Sequence, residues 1–220
     1  MIPIKDDNPT KTFPFIIIFL IFTNCLIFFY QIVKDDYVEY FIVNFGVIPY
    51  QFTHFRYIHS FHMIPFPLTL FTYMFLHGGF FHLLSNMLFL WIFGCNIEDV
   101  LGHFKFLFFY TLCGFVAGLF HIFNELNSMV PMIGASGAIA GILGAYFILF
   151  PKAKIHTLII IFFIIKIIRI PAVVFIGIWF LIQILSSGTG DKVAWYAHIG
   201  GFISGIIFII CFMPKRSIRR

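Results

Sequence analysis

Charge is what this 220-residue chain has least of: Asp, Glu, Lys and Arg together make up 10% of it. A soluble domain carries about a quarter charged residues, so that class is excluded. Paired cysteine spacings are also lacking. Cys25, Cys95, Cys113 and Cys211 all fall inside apolar stretches, so neither a disulfide framework nor a zinc site is expected, and each reads as a small core residue. A metalloprotease helix is excluded because His77 and His82 do not stand in the H-E-x-x-H spacing and no Glu follows His77. The soluble nucleophile elbow G-x-S-x-G is missing too, since Gly137 directly follows Ser136. No acidic residue lies deep in an apolar stretch and no inverted repeat is apparent, which argues against an ion-coupled transporter. No cofactor and no metal ion are expected.

What the chain does have is apolar length. Hydrophobic residues make up 61%, and Phe alone occurs 34 times. A membrane helix needs about 20 mostly apolar residues. On that measure the chain reads as one polytopic all-α membrane domain over 1–220, with spans near 13–33, 80–95, 104–122, 134–150, 171–185 and 195–213. The first is too long for a signal-peptide core and lacks a small-residue cleavage site, so a retained helix is expected. The polar run Asn96-Ile97-Glu98-Asp99 reads as the end of the second span, Pro151 as the stop of the fourth, and Pro171 as the first turn of the fifth. The connection 34–76 is broken by Pro49, Pro65 and Pro67, and rich in aromatics including Phe41, Phe52, Phe61 and Phe66. Such a composition suits the headgroup region. The stretch 152–170 is apolar only over 158–165, too short to cross, and is expected to be an interfacial segment with both ends on one side.

The basic residues then orient the chain, because cytoplasmic loops collect Lys and Arg. Lys5, Lys11, Lys105, Lys152, Lys154, Lys166, Arg169 and the tail's Lys215, Arg216, Arg219 and Arg220 fall on one side, against Lys34, Arg56 and Lys192 on the other. Both termini are therefore expected to be cytoplasmic. The basic excess, 14 Lys and Arg against 9 Asp and Glu, is read as this topological signal; lipid is the expected partner and nucleic acid is not.

Polar and ionisable groups within spans are costly and mark function. His82 and Asn86 in the second span, Ser136 in the fourth and His198 in the sixth all fall at the outer end of the bundle under that orientation. Alone, a membrane serine ordinarily bonds its own backbone and a glycine stripe is ordinarily packing. Here they coincide. Gly137 and Gly141 follow Ser136, Gly201 and Gly205 follow His198, and small stripes let two helices approach closely in lipid. If the stripes face each other, Ser136 meets His198, and a hydroxyl beside an imidazole is the minimal activated nucleophile. His82 and Asn86 share a helix face and could donate to an oxyanion, with the Ser136 N–H as a third donor. Asp191 reads as a solvated loop residue, so a dyad without a third acid is expected.

Gly134-Ala135-Ser136-Gly137, the array His77-x4-His82-x3-Asn86 and Ala197-His198-x2-Gly201-x3-Gly205 together resemble the rhomboid intramembrane serine proteases, and Asn96-x-Glu98-Asp99-x-x-Gly102 resembles the same family. The resemblance runs from about His77 to the end of the sixth span. It implies a six-helix bundle with a half-embedded first loop and a water-filled cavity open to the outside. It implies Ser136 as nucleophile, His198 as base and then acid, His82 and Asn86 in the oxyanion site, and His77 as a structural residue holding the first loop. The substrates implied are membrane proteins cut within their transmembrane segments, with the fifth helix and the loop before His198 as gate and lid. A bacterial inner membrane is the expected location. The family's Trp-Arg pair in the first loop is missing, the first tryptophan being Trp91. Ala140 stands where some members place an aromatic ring on the histidine, so the imidazole must be oriented by packing elsewhere. The alternative within this fold is an inactive client-binding protein; such proteins typically lose the serine or the histidine, and both are present.

Overall fold

The computed structural model describes residues 1–34, 38–58, 62–161, 164–189 and 193–212. Phe61, Asp191, Lys192, Met213 and the basic tail from Lys215 lie outside the described residues. The chain opens with strand β1 (Ile2–Asp6) and helix α1 (Phe15–Val33). Short helices α2 (Val38–Phe45), α3 (Pro49–His54) and α4 (Thr69–Thr72) occupy the long connection, α4 being flanked by 3-10 turns at Phe66–Leu68 and Tyr73–Phe75. Then come α5 (Phe80–Leu101), α6 (His103–Asn124), α7 (Ser136–Leu149), the strands β2 (Lys154–Ile161) and β3 (Ile164–Pro171), and helices α8 (Ala172–Ser186) and α9 (Trp195–Phe212). Among these, α1, α5, α6 and α9 are the four long and apolar enough to cross a bilayer, and α7 and α8 are shorter apolar helices.

The second apolar run does not end at Asn96. Helix α5 continues to Leu101 and turns into α6 at Gly102, whose φ of 75° suits a residue without Cβ. The polar cluster extends the helix rather than breaking it because the N-terminal segment satisfies it. Glu98, fully buried, accepts from the Ile16 and Ile17 N–H groups, both at 2.9 Å. These belong to the first turn of α1, which has no side-chain cap of its own. A carboxylate there meets both the free N–H groups and the positive end of the helix dipole. Asp99 accepts from the Thr12 N–H (2.7 Å) and hydroxyl (2.6 Å). Asn96 accepts from Asn8 (2.7 Å) and donates to Asp6 (2.8 Å), which also accepts from the Tyr146 hydroxyl. Burial pushes the Asp6 carboxyl above its usual range, and the two donors work against that rise.

The stretch 152–170 is a β-hairpin. Strands β2 and β3 pair antiparallel from Lys154 opposite Pro171 to Ile161 opposite Ile164, and β1 adds on the other edge of β2, from Ile2 opposite Leu158 to Asp6 opposite Ile155. The run is rich in Ile, whose branched Cβ favours a pleated surface. Ile155 and Thr157 of β2 point inward and are fully buried, while Lys154, Lys166 and Arg169 are exposed. The cysteines also differ from expectation: Cys113 is buried, but Cys25 and Cys211 lie on exposed helix faces.

The core centres on α7, buried continuously from Gly137 to Tyr146 between α5, α6 and α9. Its contact with α9 is backbone to backbone. A Cβ added at Gly201 would lie 2.0 Å from the Gly137 carbonyl oxygen, one at Gly205 the same distance from that of Gly141, and one at Gly144 2.2 Å from that of Phe202. On the opposite side, a Cβ at Gly141 would meet Cys113 of α6 at 2.5 Å. Gly201→Ala or Gly205→Ala should therefore cost at least about 1–3 kcal/mol by overpacking. Gly177→Ala, whose Cβ would meet nothing nearer than 4.0 Å, is the control. Thermal unfolding in detergent reads the difference, and a Gly205→Ala protein melting like wild type would contradict this packing.

Candidate active site

Ser136 is the first residue of α7, and two linked hydrogen bonds through Tyr73 anchor the chain that leads into it. The Gly134 N–H donates to the Tyr73 carbonyl (2.9 Å), and the Tyr73 hydroxyl donates to the Gly114 carbonyl (2.8 Å). The helix thus starts at Ser136 rather than at Gly134, which has a φ of 117°. Glycine is required there twice over, since a Cβ would also sit 2.7 Å from His82 Nε2 and 3.7 Å from Ser136 Oγ.

His198 lies one turn into α9, and its Nε2 is 2.7 Å from Ser136 Oγ. Ser136 is half-buried and His198 is 9% exposed. Nδ1 of the same ring is 2.8 Å from Oε1 of Gln183, a residue of α8 that is 3% exposed. Trp179 and Trp195 flank the ring, each with centroids 6.0 Å away. The orientation that Ala140 cannot give comes from these three side chains. Gln183 escaped the sequence reading, although it is the one strongly polar residue in the apolar stretch of α8.

His82 and Asn86 project from the first turns of α5. His82 Nδ1 accepts a long hydrogen bond (3.4 Å) from the Gly78 N–H, so in a neutral ring the proton sits on Nε2, the nitrogen facing Gly134. Asn86 is buried, and its amide nitrogen makes no hydrogen bond among the described residues. His77 packs edge-on against His82, with ring centroids 5.0 Å apart. Gln31 of α1 clamps its backbone N–H and carbonyl at 3.3 and 3.4 Å. Gly137, Gly141, Gly201 and Gly205 line the α7–α9 contact just inside the Ser136–His198 pair. Among the described residues no group of three or more His, Cys, Asp or Glu is placed to hold a metal ion.

The geometry around Gly134 is testable without any assay of activity. Gly134→Ala combines an unfavourable φ with a clash on His82 and should cost about 1–3 kcal/mol. Gly79→Ala, where a Cβ would meet nothing within 4 Å, should be close to neutral. Equal melting temperatures for the two variants would contradict the arrangement.

Residues 67–215 match the family model described as Rhomboid domain. Rhomboid protein 1, mitochondrial, of Saccharomyces cerevisiae is 33% identical over 145 residues, which cover 61% of this chain and 38% of that protein. RHOMBOID-like protein 1 of Arabidopsis thaliana is 33% identical over 149 residues, covering 66% and 34%. Presenilin-associated rhomboid-like protein, mitochondrial, of Homo sapiens is 28% identical over 143 residues, covering 61% and 35%. The chain spans well under half the length of each of these relatives. They are mitochondrial or plant proteins and give no support to a bacterial inner membrane. With a family match over most of its length and several apolar helices long enough to cross a bilayer, the chain is a multi-pass integral membrane protein that belongs to the rhomboid family.

Proposed function

We propose that this chain is an intramembrane serine endopeptidase that cuts transmembrane segments of other membrane proteins near the extracytoplasmic face. The observation that carries the reading is the 2.7 Å contact between Ser136 Oγ and His198 Nε2. In this reading the chain is one membrane domain whose helices α1, α5, α6, α7, α8 and α9 all span. Both termini are cytoplasmic, and 34–76 is half embedded at the outer face. The basic hairpin β2–β3 then lies on the cytoplasmic side, as the charge bias requires.

The chemistry follows from the groups present. Ser136 Oγ attacks the scissile carbonyl carbon as its proton passes to His198 Nε2. The new oxyanion takes hydrogen bonds from the Asn86 amide, from His82 Nε2–H and from the Ser136 N–H, one of the groups a helix start leaves without an intrahelical acceptor. The tetrahedral intermediate collapses, the C–N bond breaks, and the imidazolium gives its proton to the leaving amine. Water, deprotonated by His198, then releases the acyl group from Ser136 and restores both side chains. The unpartnered amide nitrogen of Asn86 supports its role, because a buried donor without an acceptor is destabilising unless a ligand supplies one.

Cleavage of a transmembrane reporter should disappear with Ser136→Ala and with His198→Ala while both proteins stay folded. Undiminished cleavage by either variant would sink the dyad, and a wild-type protein that binds the reporter without cutting it would favour a client-binding role. Asn86→Ala should slow cleavage about 100- to 1000-fold, the range for loss of one oxyanion donor. It should leave the melting temperature little changed, because the amide nitrogen removed makes no hydrogen bond among the described residues; a large stability loss with normal turnover would reverse that assignment. Finally, helix-breaking or small residues near the outer end of the reporter's helix should speed cutting, since a stable helix occupies its own carbonyls. A substrate scan indifferent to them would refute that preference.

A further inference from the structure

We propose that Gln183 is a positioning residue that fixes the tautomer and orientation of His198, so that the working unit is Ser136–His198–Gln183. This rests on the dyad reading above and deepens it. The Trp179 carbonyl, which can only accept, fixes the direction of the hydrogen bonds. Gln183 Nε2 lies 2.8 Å from it, so the amide NH2 must face that carbonyl. The other end of the amide, Oε1, is then the atom 2.8 Å from His198 Nδ1, and it too can only accept. Nδ1 must therefore carry the proton. In a neutral imidazole the proton on Nδ1 leaves Nε2 as a lone pair, and that lone pair faces Ser136 Oγ at 2.7 Å.

Every donor in the chain thus points the same way, from the Ser136 hydroxyl through the imidazole and the amide to a backbone carbonyl. The opposite tautomer would set two lone pairs against each other between Nδ1 and Oε1. It would also make Ser136 Oγ accept from Nε2–H, which leaves the hydroxyl proton without its base. When His198 takes the serine proton, the bond to Gln183 becomes charge-assisted and strengthens, a gain that appears only as the reaction proceeds. A neutral amide here does what a carboxylate does in other serine hydrolases, without placing a formal charge in an apolar helix.

The location of Gln183 supports a role beyond packing. Of the fifteen residues of α8, only Ala172, Phe175, Ile176 and Gln183 are buried. The first three lie near the start of the helix. In its second half Gln183 is the sole buried side chain, and it faces α9 through the histidine.

Two variants and two readouts separate positioning from structure. Gln183→Met keeps the length of the side chain and removes the acceptor, whereas Gln183→Glu keeps an acceptor toward Nδ1. Selective 15N-histidine NMR of the full chain in detergent, with His198→Ala to assign the signal, should show His198 protonated on Nδ1 in the wild type and in Gln183→Glu. In Gln183→Met it should shift toward the Nε2-protonated form. Covalent labelling by a fluorophosphonate should slow about 10- to 100-fold in Gln183→Met, the usual size of losing an orienting partner, and recover in Gln183→Glu. An unchanged His198 tautomer in Gln183→Met, or an Nε2-protonated wild type, would overturn the proposal, as would full labelling speed in Gln183→Met. A wild type that shows the Nδ1-protonated ring yet never labels would instead overturn the protease reading and leave the positioning role standing.

Discussion

The backbone contact between α7 and α9 is the constraint on which the rest of this molecule depends. In lipid there is no hydrophobic gain in bringing two apolar helices together, so close packing and hydrogen bonds must do it. Gly137, Gly141 and Gly144 on one helix and Gly201 and Gly205 on the other let the backbones approach so closely that carbonyl oxygens of one helix sit where side chains of the other would begin. That separation matters because a serine side chain is short. Ser136 precedes Gly137 directly and His198 lies one turn before Gly201, so the closest contact falls just below the pair. Spreading the helices by one methyl group would take Oγ out of reach of Nε2.

Helix α7 is held at its two ends by different means. At its start, the Gly134–Tyr73–Gly114 chain of hydrogen bonds ties the approach loop to α6. At the far end, the Tyr146 hydroxyl donates to Asp6, which the Asn96 amide also holds. Asp6 closes strand β1, and Glu98 and Asp99 fasten the segment that follows it to α5. The N-terminal segment is therefore part of the scaffold. It leads into α1, whose first turn Glu98 of α5 caps, completes the sheet and closes the bundle at the end away from Ser136.

The apolar helices and the glycine faces were legible in the sequence because both are local signals. Hydropathy over a window and small residues at four-residue spacing need no knowledge of distant partners. The spacing of Gly137 with Gly141 and of Gly201 with Gly205 marked two helix faces able to approach closely, and the structure brings those faces together. What escaped was set by residues far apart in the chain. Asn96, Glu98 and Asp99 read as a helix end because their partners, Asn8, Ile16, Ile17 and Thr12, lie at the other end of the sequence from α5's own neighbours. The hairpin at 154–171 was a short apolar run without decisive periodicity, and the strand that pairs with its first half lies at residues 2–6. Gln183 carried the clearest signal, a strong polar group in an apolar helix. Its meaning depends on the rotation of α8 against α9, which no local pattern encodes.

A serine whose hydroxyl is activated by a neighbouring imidazole can be tested by chemistry at that one atom. Full-length wild-type protein treated with a fluorophosphonate and digested should yield a single adduct, in the peptide bearing Ser136, and the adduct should be absent from His198→Ala. An adduct on any other residue, one that persists without His198, or no adduct in a folded wild-type protein would contradict the account.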